Sequence, residues 1–89
     1  MIKLMYLGAE WCGPCKKMKP VIDEFEKENP EVMVVRIDVD EDSNTAFSLE
    51  ISSIPTIIVM KDNTEVARKI GPVNKSGLIE LVYGKKNEE

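Results

Sequence analysis

The chain has 89 residues, 43% hydrophobic and 31% charged, with a formal net charge of −4. That suits one small globular domain, burying about 60–65% of the surface its unfolded form exposes. The acidic excess, at Asp38, Asp40, Glu41, Asp42, Glu88 and Glu89, lacks the basic stripe of a nucleic-acid binder. No apolar run approaches the ~20 residues that span a bilayer. The apolar start Met1–Leu7 is followed by no small-residue cleavage site, so it reads as a strand and the protein is expected in the cytoplasm. The sequence contains no histidine, which excludes His-based catalysis and His-ligated metal sites.

Ile2 to Leu7 is apolar except for Lys3, the pattern of a strand covered on both faces. Gly8-Ala9-Glu10 is a short connection. Pro14 suits the first turn of a helix, where its missing N–H costs nothing. Met18, Val21, Ile22 and Phe25 then form one helical stripe. Pro20 lies inside the stripe without breaking its phase, so a kink is expected there and an end at Asn29-Pro30. Val32–Ile37 is a second strand. After the acidic turn 38–42, Asp42 or Ser43 caps a short helix with Ala46, Phe47 and Leu49 facing inward. Ser52–Pro55 is a loop, and Thr56–Met60 and Glu65–Ile70 are strands paired as a hairpin across Asp62-Asn63. Gly71-Pro72 breaks the last strand. Ser76–Tyr83 is the final helix, stopped by Gly84. The order β-α-β-α-β-β-α predicts an α/β fold: a four-stranded mixed sheet with helices on both faces. Residues 1–84 form the domain, and 85–89 are expected as a charged, frayed tail.

Chemistry concentrates in Trp11-Cys12-Gly13-Pro14-Cys15-Lys16, which holds both cysteines and the one tryptophan. In a reducing compartment such a pair is redox-active or metal-binding more often than structural. A zinc site wants four ligands, and this chain offers two thiols. A purely structural bridge across so short a loop would stabilise little. Disulfide exchange needs a thiolate. Cys12, at the helix N-terminus, is near free N–H groups and the positive end of the helix dipole. It is therefore expected to attack a substrate disulfide, and Cys15, one turn further in, to resolve the mixed disulfide.

Glu10–Lys16, at the end of a strand and opening a helix, resembles the thioredoxin family. Pro20 resembles that family's helix-kinking proline, Ser53-Ile54-Pro55-Thr56 its cis-proline loop, and Gly71 its glycine after the last strand. The resemblance runs from about Leu4 to Tyr83. It implies the three-layer thioredoxin fold and a protein-disulfide reductase using Cys12 and Cys15. It also implies a substrate groove of Trp11, Gly13, Pro14, Ile54, Pro55 and Gly71. Pro55 would be cis and would present the backbone of Ile54 to an extended substrate. Trp11 is expected to be half-exposed on the docking face. Gly71 and Pro72 suit equally the groove or a simple strand end. Neither metal nor organic cofactor is implied. The implied partners are disulfide-containing proteins and a reductase, namely an NADPH-linked thioredoxin reductase, and a monomer is expected.

Two departures stand out. The family's additional strand and helix before the active-site strand have no counterpart here, so Val32–Ile37 is expected at a sheet edge. A buried aspartate usual in the family is replaced by Tyr6, which reads as core, with its hydroxyl bonded near Cys15 or to Arg36. Cys15 would then lose its proton through water or to another carboxylate, with Glu10 and Asp38 as candidates. The acidic cluster 38–42 otherwise reads as a solvated turn. Two other functions remain open. The short length favours a glutaredoxin-like, glutathione-linked reductant, which the Trp11–Cys15 run opposes. The fold would also serve as a binding subunit whose thiols are dispensable.

Overall fold

The computed structural model describes residues 1–84, so the expected tail at 85–89 lies outside the described residues. The first apolar run forms β1 (Ile2–Gly8). Leu4 and Tyr6 are buried on one face and Leu7 on the other, as a run without alternation requires. It is central: the sheet order is β2-β1-β3-β4. β2 (Val32–Asp38) runs parallel to β1, and β3 (Thr56–Lys61) runs antiparallel to β1 on its other side. β4 (Thr64–Ile70) closes a hairpin on β3. Its two-residue turn, Asp62-Asn63, has φ of +51° and +70°, the left-handed pair that matches strand twist. β2 takes the sheet edge as expected, with Met33 exposed on it.

α1 (Gly13–Glu28) buries Cys15, Met18, Ile22 and Phe25 at the predicted helical spacing. It continues through Pro20, whose ring is exposed on its outer side. These side chains pack with Leu4 and Tyr6 of β1, Ile57 and Val59 of β3, and Leu78 and Val82 of α3 (Lys75–Tyr83). Asn74 caps α3 by accepting from Gly77 N at 2.8 Å, one residue earlier than the sequence suggested, and Gly84 ends it with φ +88°. Lys75 Nζ ties α3 back to α1 through Glu24 at 2.8 Å and Glu28 at 2.9 Å.

α2 (Ser43–Ser48) is capped by Asp42, which accepts from Thr45 N at 3.2 Å. Here one expectation fails. Ala46 is buried and Leu49 half-buried, but Phe47 is 86% exposed. Neighbouring residues on a helix point about 100° apart. A six-residue helix that turns Ala46 inward therefore turns Phe47 out. β4 also buries little: Val66 and Ile70 are exposed and only Ala67 is half-buried, because β4 is the other sheet edge. The fold is the predicted β-α-β-α-β-β-α arrangement.

Candidate functional site

β1 delivers the chain to the carboxyl end of the sheet centre, and α1 begins after four connecting residues. Cys12 is the N-cap of α1, with extended backbone at φ −89° and ψ 114°. Its Sγ accepts from Cys15 N at 3.2 Å, doing the work usually left to a Ser or Asp oxygen. The two cysteines are joined as a disulfide, with Cα atoms 5.2 Å apart. One helical turn separates them, and burial distinguishes them only slightly: Cys12 is 6% exposed and Cys15 1%. Gly13 and Pro14 occupy the exposed first positions of the helix between them. The unpaired N–H groups of this first turn and the helix dipole both favour negative charge at Cys12 Sγ.

Around the disulfide the chain supplies a rim. Trp11 is 69% exposed, further out than half. Its Nε1 donates to Asp40 Oδ2 at 2.6 Å, which fixes the indole although little protein covers it. Asp38 Oδ1 accepts from Asp40 N at 2.8 Å and Glu41 N at 3.2 Å, an Asx-type turn that aims Asp40 at Trp11. Trp11 and Ile54 share a shallow hollow of about 190 Å³ with Val39, Ala46 and Ile51. The Ile54–Pro55 bond is cis. Thr56 Oγ1 holds the loop by donating to Ser53 O at 2.6 Å. Gly71, at φ +102°, donates its N–H to Pro55 O at 2.8 Å, so the two are backbone neighbours. The structure thus gathers Trp11, Cys12, Gly13, Pro14 and Cys15 at the helix start. Trp11 links them to Ile54, and Pro55 to Gly71.

Beneath the disulfide, Tyr6 Oη donates to Cys15 O at 2.9 Å. Arg36, the other expected partner, instead pairs with Asp23 at 2.6 Å and Glu26 at 2.9 Å on α1. Burial, with the Asp38 charge adding, pushes the Tyr6 phenol above its ordinary pKa, so it stays protonated at neutral pH. Beside it lies a cavity of about 420 Å³ between α1 and β2, lined by Tyr6, Gly8, Ile22, Arg36, Ile37 and Asp38 among others. Gly8 makes close packing possible here. A Cβ on it would stand 2.5 Å from Tyr6 Oη, 2.9 Å from Tyr6 Cζ and 3.2 Å from Cys15 Sγ. Gly8→Ala is therefore expected to cost about 1–3 kcal/mol of stability, the usual penalty of overpacking. Adding Tyr6→Phe removes the nearest clashing atom. In urea unfolding the double variant should be more stable than the two single losses sum to. Strict additivity would show that the clash is relieved elsewhere.

The sequence reading placed the cysteine pair and the cis-proline loop correctly. It missed the part played by the acidic turn. Asp38 and Asp40 organise the Trp11 side of the site, and the Asp-Val-Asp spacing of an Asx turn was the available signal. Among the described residues, no cluster of three or more His, Cys, Asp or Glu side chains is placed to hold a metal.

Comparison with known proteins agrees with this geometry. The Thioredoxin family model matches residues 2–83. The chain is 45% identical over 74 residues to a thioredoxin of Chlamydia pneumoniae, covering 83% of this chain and 72% of that protein. It is 44% identical over 75 residues to a thioredoxin of Bacillus subtilis, again covering 83% and 72%. The X-ray structure of Fasciola hepatica thioredoxin superposes with a TM-score of 0.88 at 33% identity, covering 96% of this chain and 81% of that one. With matching family, matching fold and a Cys12–Cys15 pair at the head of α1, the chain belongs to the thioredoxin family and is a thiol–disulfide oxidoreductase.

Proposed function

We propose that this chain reduces the disulfides of other proteins, with Cys12 as the attacking thiolate and Cys15 as the resolving thiol. The observation that supports this most is the position of Cys12 at the N-cap, its Sγ bonded to the Cys15 N–H and set where the helix start stabilises negative charge. Cys12 thiolate attacks one substrate sulfur, and the other leaves as a thiolate. Cys15 thiolate then attacks Cys12 Sγ, the mixed disulfide breaks, and the second substrate sulfur leaves with its electron pair. Both leaving thiolates take protons from water. The dithiol is itself the redox group, so the reaction uses no metal or organic cofactor.

Trp11, Gly13, Pro14, Ile54, Pro55 and Gly71 form the surface that receives the substrate. The Trp11–Ile54 hollow supports this, being apolar and lined by the residue that precedes Cys12. An extended peptide would lie along the Ile54 backbone. Electrons return from an NADPH-linked thioredoxin reductase, and the protein works as a cytoplasmic monomer. Among the described residues no helix is long and apolar enough to cross a membrane.

The test is a Cys15→Ser variant incubated with disulfide-containing proteins. It should accumulate mixed disulfides through Cys12, cleavable by dithiothreitol, while the unsubstituted chain turns over. If no mixed disulfide accumulates, the assignment of roles fails. The oxidised chain should be reduced quickly by NADPH with thioredoxin reductase and slowly by glutathione. The reverse order would make it a glutathione-linked reductant.

A further inference from the structure

Cys15 is a buried thiol and must lose a proton before it can attack Cys12. Tyr6, the titratable group bonded to the Cys15 backbone, cannot take that proton at neutral pH, because its own phenol holds one and donates it to Cys15 O. The cavity between α1 and β2 offers another route. Gly8 lines this cavity and also lies against Cys15 Sγ. In the parallel pairing of β1 with β2, Gly8 is the register partner of Asp38. Register partners in a sheet present their side-chain positions to the same face, about 4.8 Å apart. The Tyr6 phenol fills the place a Gly8 side chain would take, so Gly8 brings that hydroxyl and the cysteine sulfur together on the face that carries the Asp38 side chain. Asp38 lines the same cavity, and its charge is felt at Tyr6. Both protein hydrogen bonds to the Asp38 carboxylate fall on Oδ1, leaving Oδ2 without a partner among the described residues. The cavity is large enough for several waters.

We propose that Asp38, acting through water in this cavity, accepts the proton of Cys15 during resolution of the mixed disulfide. The proposal rests on dithiol exchange through Cys12 and Cys15. The Cys15 S–H bond breaks, and its proton passes by water to the Asp38 carboxylate. The thiolate forms the Cys12–Cys15 bond as the bond from Cys12 to the substrate sulfur breaks. Asp38 then returns its proton to solvent, and the substrate thiolate is protonated from water. The charged and titratable groups around Asp38 are Tyr6 on β1, Glu10 before α1, Lys19 and Asp23 on α1, Arg36 on β2 and Glu41 in the turn. Asp23 is committed to Arg36. Glu10 is exposed and lies beyond the end of β1, so it lacks the strand register that sets Asp38 opposite Gly8.

The experiment is stopped-flow reaction of the reduced chain with 5,5′-dithiobis(2-nitrobenzoate). Attack by Cys12 releases the first chromophoric thiolate, and resolution by Cys15 releases the second. In Asp38→Asn the side-chain oxygen can still hold the turn, and thermal unfolding checks that it does. The first phase should keep its rate. The second should slow about 100-fold near pH 7, within the range of general-base catalysis. Its pH profile should also change. The original second phase stays nearly flat across neutral pH. That of Asp38→Asn rises about tenfold per pH unit until the ordinary thiol range is reached, because solvent must then form the thiolate. An unchanged second phase, or equal slowing of both phases with the same pH profile, overturns the proposal. So does a comparable loss in Glu10→Gln with Asp38→Asn unaffected.

Discussion

Cys12→Ser is expected to abolish disulfide reduction, lowering the rate by at least about 10³-fold, while leaving the fold intact. The loss follows from chemistry: a serine hydroxyl at neutral pH neither attacks a disulfide nor forms one, and no other thiol in the chain is placed to substitute. Retention of the fold follows from the local geometry. Position 12 is a helix N-cap whose side chain accepts the Cys15 N–H. Serine is among the preferred residues for that role, so its oxygen replaces the sulfur as acceptor. The measurement pairs insulin-disulfide reduction with thermal unfolding under reducing conditions, comparing the variant with the reduced parent chain. Residual activity within tenfold of the parent would mean that Cys15 can attack substrate directly. Cys15 is 1% exposed and lies under Cys12. A large drop in thermal midpoint would mean that the Cys12 sulfur contributes packing beyond the cap.

The chain's two phenylalanines are expected to behave oppositely. Phe25 is fully buried on α1, within the cluster that joins Met18, Ile22, Leu78 and Val82. Truncation to alanine removes its transfer free energy and leaves a cavity that rigid neighbours fill poorly, about 3–5 kcal/mol in total. A domain of this size has only about 5–13 kcal/mol to lose, at roughly 0.05–0.15 kcal/mol per residue. Phe25→Ala should therefore lower the thermal midpoint by on the order of 20 °C, and expression at two temperatures should give less soluble protein at 37 °C than at the lower one. Phe47 is 86% exposed on α2, and Phe47→Ala should change stability by no more than about 0.5 kcal/mol. Circular-dichroism melts of both variants decide the matter. Similar losses for the two would show that Phe47 packs inward after all.

That contrast shows where sequence reasoning stops. The stripe Met18, Val21, Ile22, Phe25 spans two turns of a long helix, so its phase is overdetermined and its inward face could be read directly. α2 has six residues, too few to fix a phase from three apolar positions. The apolar positions alone therefore point Phe47 inward, whereas the structure turns it out. The hairpin was legible because Asp62-Asn63 tolerates the positive φ values its turn needs. The exposure of β4 was not, since which strands lie at the sheet edges is set by strand order.

The cysteine pair at the head of α1 was determined by sequence alone, because spacing, the following proline and the helical stripe are local signals. So were the order of elements and the parallel pairing of β1 with β2, which a helical crossover imposes. Only the tertiary structure could decide what surrounds the pair. Asp40 lies 29 residues from Trp11 yet holds its indole. The strand register sets Asp38 beside Gly8, and Gly8 against Cys15 Sγ. Tyr6 turns to the Cys15 carbonyl while Arg36 turns away to α1. These contacts join residues far apart in the chain, and they exist only once the sheet is paired and α1 has docked on it.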